Sequence, residues 1–264
     1  MKISFWGKAL VGFLTLFLIA FSLVSCGLEQ IITHPRSPYY VDFMNPEPIY
    51  KQDKVIHLLE DDLMVLGLEE RDIQYKSLDE IPKDLKRAFI AIEDARFNDH
   101  SGYDLKGIAR AMWVNLTNRE IRQGGSTITQ QLARNLFLGH DQSLDRKLLE
   151  FALAIKLEEH YTKDEILEMY LNQVYFGNGN YGVEQASNDY FNQSVEYLSL
   201  QEASLLAGIV QAPSLYSPVS SWSHATRRQQ LVLQRMVELD VITPKDAEDA
   251  IYDEVIMLNQ LNSF

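Results

Sequence analysis

Thr162-Lys163-Asp164-Glu165-Ile166-Leu167-Glu168-Met169-Tyr170-Leu171-Asn172 opens as a helix and continues as one. Thr162 and Glu165 stand at the spacing where a hydroxyl caps a helix start while a carboxylate reaches back to the cap amide. Ile166, Leu167, Tyr170 and Leu171 then recur at helical spacing and form an apolar face, read most simply as core. The same punctuation occurs at Ser77-Leu78-Asp79-Glu80 and at Ser199-Leu200-Gln201-Glu202, the latter ahead of the apolar run from Ala203 to Val210. Thr243-Pro244 supplies a further start, with threonine as cap and proline in the first turn. Phe176-Gly177-Asn178-Gly179-Asn180-Tyr181-Gly182 is a loop signal, and long alternating strands are absent. The pattern predicts a mainly α domain over residues 72–258, followed by a short tail, 259–264.

Upstream of that domain the character changes twice. Residues 27–71 begin with a polar, aromatic, proline-bearing stretch (His34-Pro35-Arg36-Ser37-Pro38, Asn45-Pro46-Glu47-Pro48) that reads as an extended linker. Residues 1–26 carry Lys2 and Lys8, an apolar run from Ala9 to Val24, and then Ser25-Cys26. A basic start, a short apolar run and small residues ahead of a cut site make a secretory signal. The run is shorter than the roughly 20 residues that span a bilayer comfortably. Leu23-Val24-Ser25-Cys26 resembles a bacterial lipobox, in which Cys26 would be lipidated; the alternative is an uncleaved single-span anchor. Both place the body of the protein outside the cytoplasm, tied to a membrane.

The chain of 264 residues is 46% hydrophobic, enough for one sizeable core, and carries a formal net charge of −13. No broad basic footprint is present, which excludes nucleic acid as the expected partner. An anionic ligand would need a local cationic pocket inside an acidic protein. Cys26 is the single cysteine, so neither an intrachain disulfide nor a cysteine metal cluster can form.

Four polar constellations could carry chemistry. Glu93-Asp94-Ala95-Arg96-Phe97-Asn98-Asp99-His100-Ser101-Gly102 follows the apolar stretch Ala88 to Ile92, where desolvation can raise a carboxylate toward a useful base. Spacing alone favours the plainer reading, a solvated helix end. Gly124-Gly125-Ser126-Thr127-Ile128-Thr129-Gln130-Gln131-Leu132-Ala133-Arg134 offers glycines for close approach, Ser126 or Thr129 as a helix cap, and free amides suited to phosphate. Thr127 with Gln131, and Gln130 with Arg134, then fall on neighbouring helical positions. Arg146 and Glu150 stand four apart, with Lys147 beside them; such a pair is usually a solvated salt bridge contributing a few tenths of a kcal/mol. The fourth is the amphipathic helix quoted first.

Taken in order, these stretches resemble the successive motifs of the peptidoglycan glycosyltransferases, glycosyltransferase family 51, over about Asp79 to Met236. Glu-Asp-x-x-Phe-x-x-His-x-Gly followed by Gly-Gly-Ser-Thr-Ile-Thr-Gln-Gln is a specific combination, and Ser214 to Pro218 and Val232 to Met236 agree further. The resemblance implies a lysozyme-like, two-lobed helical fold with an extended cleft. It also implies polymerisation of lipid II and a lipid-linked glycan chain at the outer face of the bacterial cytoplasmic membrane. Glu93 would take the proton from the acceptor 4-hydroxyl, with inversion at the donor anomeric carbon and departure of undecaprenyl pyrophosphate. Arg134, Arg146 and Lys147 would stabilise that leaving group, Arg110 would hold phosphate on the acceptor side, and Glu150 would orient the cations or assist departure. Asp94, Phe97, His100, Ser126, Thr127, Gln130, Gln131 and Arg228 complete the implied substrate-binding set. The segment Ile108 to Leu116, with Met112 and Trp113, resembles the family's bilayer-touching segment; a buried core helix fits it equally.

Three departures stand against the family pattern. Gln142 precedes Ser143 where many relatives have arginine. Gln229 replaces one of two arginines ahead of Val232-Leu233, with Arg227 a substitute by a shift of one residue. The lipobox differs from the usual uncleaved anchor. Neither Ser-x-x-Lys nor Lys-Thr-Gly occurs in the chain, so a monofunctional enzyme without transpeptidase chemistry is expected. No cofactor is implied, no metal ligand set is legible, and a divalent-cation requirement is left open, as are cell-wall synthases as partners. A lysozyme-like hydrolase and a non-catalytic lipid II-binding scaffold are the rival readings.

Overall fold

A computed structural model describes the backbone of residues 74–118, 125–138 and 144–252, and the side chains within 74–111, 125–138 and 146–251. Cys26 with the signal and anchor readings, the linker before Gln74, the side chains of Met112 and Trp113, Gln142 and Ser143, and the tail lie outside the described residues. No helix among the described residues is long and apolar enough to cross a membrane.

The helices in chain order are α1 (Lys83–Glu93), α2 (Leu105–Asn118), α3 (Ile128–Phe137), α4 (Leu144–His160) and α5 (Lys163–Gln173). A small antiparallel hairpin follows, β1 (Tyr175–Gly177) and β2 (Asn180–Tyr181). Then come α6 (Val183–Phe191), α7 (Leu200–Ile209), the short α8 (Pro213–Tyr216), α9 (Trp222–Glu238) and α10 (Pro244–Tyr252). The mainly α expectation holds, and the predicted Gly/Asn loop is the tip of the hairpin.

Cap chemistry sets most helix starts. Thr162 Oγ1 accepts from the Glu165 amide at 3.3 Å while Glu165 Oε2 accepts from the Thr162 amide at 2.7 Å, which opens α5. Ser199 and Glu202 repeat the exchange at α7, and Thr243 with Asp246 does so at α10. The box at Ser77 caps only the 3-10 turn Leu78–Glu80, and α1 starts beyond Pro82. At α3 the cap is Thr127, not Ser126 or Thr129: Gln130 stands three residues on and completes a reciprocal box, with both bonds at 3.1 Å. Thr129 instead donates its hydroxyl to Glu158 at 2.6 Å.

Two helix groups share one core. α7 packs between α1 and α9, which also touch each other, and α3 packs against α4 and α5. α7 is buried on nearly every side (Ala203 through Ile209), as a helix enclosed by neighbours should be. Gly208 permits the close approach of α9, since a Cβ there would meet Arg228 Cγ at 3.1 Å. Phe89 of α1 links the groups, meeting Tyr170 of α5 and Phe176 of β1 edge-on, each at 6.0 Å between ring centres. Phe89 is fully buried, which is worth roughly 1.5–3 kcal/mol relative to exposure. Packing therefore fixes α1, and α1 delivers Glu93 at its C-terminal end.

Candidate active site

Where α1 ends, the chain turns and the two helix groups part to leave an open cleft of about 470 Å³. Among the described residues it is lined by the α1 end (Ile92, Glu93, Asp94), by Asp104, Gly107 and Arg110 of the α2 start, and by Gly125, Ser126, Thr127, Gln131 and Arg134. Val210 and Gln211 follow from the α7 end, and Arg228, Leu231, Gln234, Arg235 and Glu238 from one face of α9.

Glu93 is half-buried at this junction. Its Oε2 accepts from Gln131 Nε2 at 2.9 Å. Desolvation pushes its carboxyl above the ordinary range; the Gln131 bond and the Arg228 and Arg134 charges oppose that rise, and neighbouring Asp94 adds to it. A carboxylate that is desolvated yet held by cations suits proton abstraction. Arg228 reaches the cleft beside Tyr216, its guanidinium 5.7 Å from the ring centre. Burial lowers its pKa from the ordinary value and the Glu93 charge opposes that shift. Arg228 Nε is buried without a hydrogen-bond partner among the described residues.

Asp94 does a different job from Glu93. Its carboxylate accepts from His100 Nε2 at 3.0 Å and from the Ile128 amide at 3.0 Å, tying the α1 end to the α3 start. The anion at this helix N-terminus is thus the protein's own, which corrects the expectation of free amides for phosphate. Phe97 and His100, expected among substrate-binding residues, lie behind the cleft lining. Phe97 is 1% exposed, stands edge-on to His100 and carries Lys163 Nζ over its ring at 4.4 Å. Gln130 is likewise absorbed by the α3 cap and buried. Gly102 closes this scaffold: its φ is +85°, and a Cβ would lie 2.9 Å from the Ala154 carbonyl oxygen. The Thr127 hydroxyl donates to the Gly102 carbonyl at 2.8 Å. Asp94→Ala, which leaves two buried donors unpaired, is expected to cost about 2–4 kcal/mol. Urea unfolding checks this, and a change below about 1 kcal/mol would reject the latch.

The basic pair stands outside the cleft lining and reaches its rim through Lys147. Glu150 is 1% exposed and accepts from Arg146 at 2.6 Å and from Lys147 at 2.5 Å. The bland reading, a solvated bridge, is therefore wrong: the carboxylate is buried and serves two cations. Lys147 also donates to Ser126 Oγ at 2.8 Å, which joins the pair to the cleft rim. Arg110 is exposed and lines the cleft from α2.

Position 229 faces away from the cleft. Gln229 is buried and donates to the Gln201 carbonyl at 2.9 Å, inside the seam between α7 and α9. Gln229 therefore takes no cation from the cleft lining. Arg227 is exposed and does not line the cleft, so it is no substitute. Arg235 lines it instead, with Glu238 as its partner at 2.8 Å. The spacing 228, 231, 235 on one helix face could have revealed Arg235 from sequence. Asp104, another lining residue not singled out by the motifs, caps α2 through the Gly107 amide at 2.8 Å and pairs with Arg96. No group of three or more acidic, histidine or cysteine side chains arranged for a metal occurs among the described residues.

The family pattern described as Transglycosylase matches residues 61–237. Penicillin-binding protein 1A of Aquifex aeolicus is 48% identical over 70% of this chain and 25% of its own length. Penicillin-binding protein 1F of Bacillus subtilis is 43% identical over 76% of this chain and 28% of its own. Penicillin-binding protein 1A of Neisseria flavescens is 37% identical over 90% of this chain and 29% of its own. A crystal structure of penicillin-binding protein 1A from Haemophilus influenzae matches 69% of this chain and 18% of that one, at TM-score 0.41 and 21% identity. The chain belongs to the transglycosylase family, and its fold is the mainly α, lysozyme-like one. It spans about a quarter of the length of the curated relatives it matches.

Proposed function

We propose that this chain is a peptidoglycan glycosyltransferase that polymerises lipid II into glycan strands, and that Glu93 is the general base. One observation carries the reading: the Glu93 carboxyl lies in the cleft, desolvated, bonded to Gln131 and under the charges of Arg134 and Arg228. The acceptor 4-hydroxyl would give its proton to Glu93 as its oxygen attacks the donor anomeric carbon from the face opposite the leaving group. The configuration inverts, the anomeric C–O bond breaks, and undecaprenyl pyrophosphate leaves with the bonding pair. A pyrophosphate leaving group develops negative charge, so fixed cations lower the barrier more effectively than a proton donor would. Of the arginines lining the cleft, Arg134 and Arg228 are the two whose charges act on Glu93. Lys147, with Arg146 behind it, extends the positive field past Ser126, and buried Glu150 keeps that pair in register. Arg110, in the cleft lining and exposed, suits the acceptor's phosphates.

Desolvated, partly unpartnered arginine favours this reading over a hydrolase, which has no pyrophosphate to hold. An intact base in an open cleft favours it over a scaffold. The working site would be the outer face of the cytoplasmic membrane, with attachment through residues before 72 and cell-wall synthases as neighbours. Purified protein in detergent is expected to convert lipid II into long glycan strands, read by gel electrophoresis. Release of short fragments from finished glycan without polymer would support the hydrolase, and neither product would support the scaffold.

A further inference from the structure

Gln131 holds the base, but an amide has two ends and only one of them suits an ionised carboxylate. The NH2 end donates; the carbonyl end accepts and would favour a protonated acid. Something must therefore choose which end faces Glu93. Gln131 is 9% exposed, so the protein partners of its amide largely make that choice. Its Oε1 instead accepts from the Tyr170 hydroxyl at 3.2 Å, while its Nε2 donates to Glu93 Oε2 at 2.9 Å.

We propose that Tyr170, a core residue on α5, is a positioning residue for the base: its hydroxyl fixes the Gln131 amide with the donor end toward Glu93. The inference rests on Glu93 as the base. Tyr170 is fully buried, and its ring is wedged edge-on against Phe89 of α1, the helix that ends at Glu93. The hydroxyl is thus anchored to the same core that places the carboxylate. Burial, and after it the Glu93 charge, holds the Tyr170 pKa well above its ordinary value, so the group stays a protonated donor wherever the enzyme works.

Without that hydroxyl, the Gln131 carbonyl loses its partner, and the orientation with the NH2 end on Glu93 loses its advantage over the reverse one, in which Glu93 has to be protonated to donate. The other charged groups facing Glu93 are Arg134 on α3, Arg228 on α9 and Asp94 at the α1 end, and all three remain. Tyr170→Phe should therefore favour the protonated base and move the acid limb of the rate profile to higher pH. On that limb kcat is expected to fall by about 3- to 10-fold, the effect of one net hydrogen bond, and to recover at higher pH with KM little changed.

The test is the pH dependence of lipid II polymerisation for wild type, Tyr170→Phe, Gln131→Met and the double variant. An upward limb shift in Tyr170→Phe that disappears in the Gln131→Met background supports the proposal. An equal loss at every pH, or a shift that persists without Gln131, overturns it and leaves Tyr170 as core only. The same effect is readable without turnover from the Glu93 13C-carboxyl resonance, identified by its loss in Glu93→Gln and followed through a pH titration. An unmoved titration in folded Tyr170→Phe rejects the relay. Absence of polymer from wild type would instead reject Glu93 as base, while the titration still decides the role of Tyr170.

Discussion

Glu93→Gln is expected to lower kcat for lipid II polymerisation by about 10²–10⁴-fold, the range that a positioned general base contributes. The amide keeps the size of the side chain and retains an oxygen for the Gln131 donor, but it cannot take the acceptor's proton. The fold should survive, and stability should improve in a pH-dependent way. Burial raises the Glu93 pKa in the folded protein above its unfolded value, so the folded state binds more protons between those two values and loses stability as pH rises through them. The variant lacks that loss. Its melting temperature should exceed that of wild type at neutral pH and converge with it in acid, below the ordinary carboxylate range. Polymer yield within about threefold of wild type would remove Glu93 as base. A melting temperature that falls equally at all pH would show that the carboxylate is structural.

Arg228→Met should produce the second large effect, a fall in kcat/KM of about 10²–10³-fold, comparable to the loss of one preorganised stabilising donor. Methionine preserves much of the aliphatic packing over Gly208 while removing the guanidinium. Two consequences should separate this variant from simple loosening of the cleft. Arg228 holds the Glu93 pKa down, so its removal should move the acid limb to higher pH. Arg228→Lys should restore part of the rate but not all of it, since an ammonium keeps the charge and loses the planar fork. Steady-state kinetics over a pH series checks both. Unchanged kcat/KM in Arg228→Met would mean that leaving-group stabilisation lies elsewhere, with Arg110, Arg134 and Arg235 in the cleft lining and Lys147 at its rim as the remaining cations.

How far the site was legible in advance depends on whether a residue's role is local. Capping at α5, α7 and α10 was readable because each cap involves groups three residues apart. The cap at α3 was misassigned although its spacing was equally local, because Ser126, Thr127 and Thr129 all offer hydroxyls. Only the placement of Glu158 and Lys147 shows where the other two hydroxyls go. The ordered motifs identified Glu93, Gln131, Arg134 and Arg228, and all four meet at the cleft. The same motifs also contain Asp94, Phe97, His100 and Gln130, which in sequence resemble a substrate-binding group. Three of them serve the junction between α1 and α3, and Gln130 serves the α3 cap.

The sequence by itself determined that this is a mainly α chain whose apolar runs, caps and glycines belong to one ordered set of motifs, because helix periodicity and capping depend on neighbours within about four residues. Tertiary structure alone decided which polar residues face the cleft and which support it. Gln229 turned into a helix seam, Arg235 joined the lining, and Glu150 became a buried carboxylate between two cations. Tyr170 passed from an ordinary core position to a hydroxyl two bonds from the base. The reason is distance: Tyr170, Gln131 and Glu93 lie on three helices, and only their packing brings one hydroxyl, one amide and one carboxylate into line.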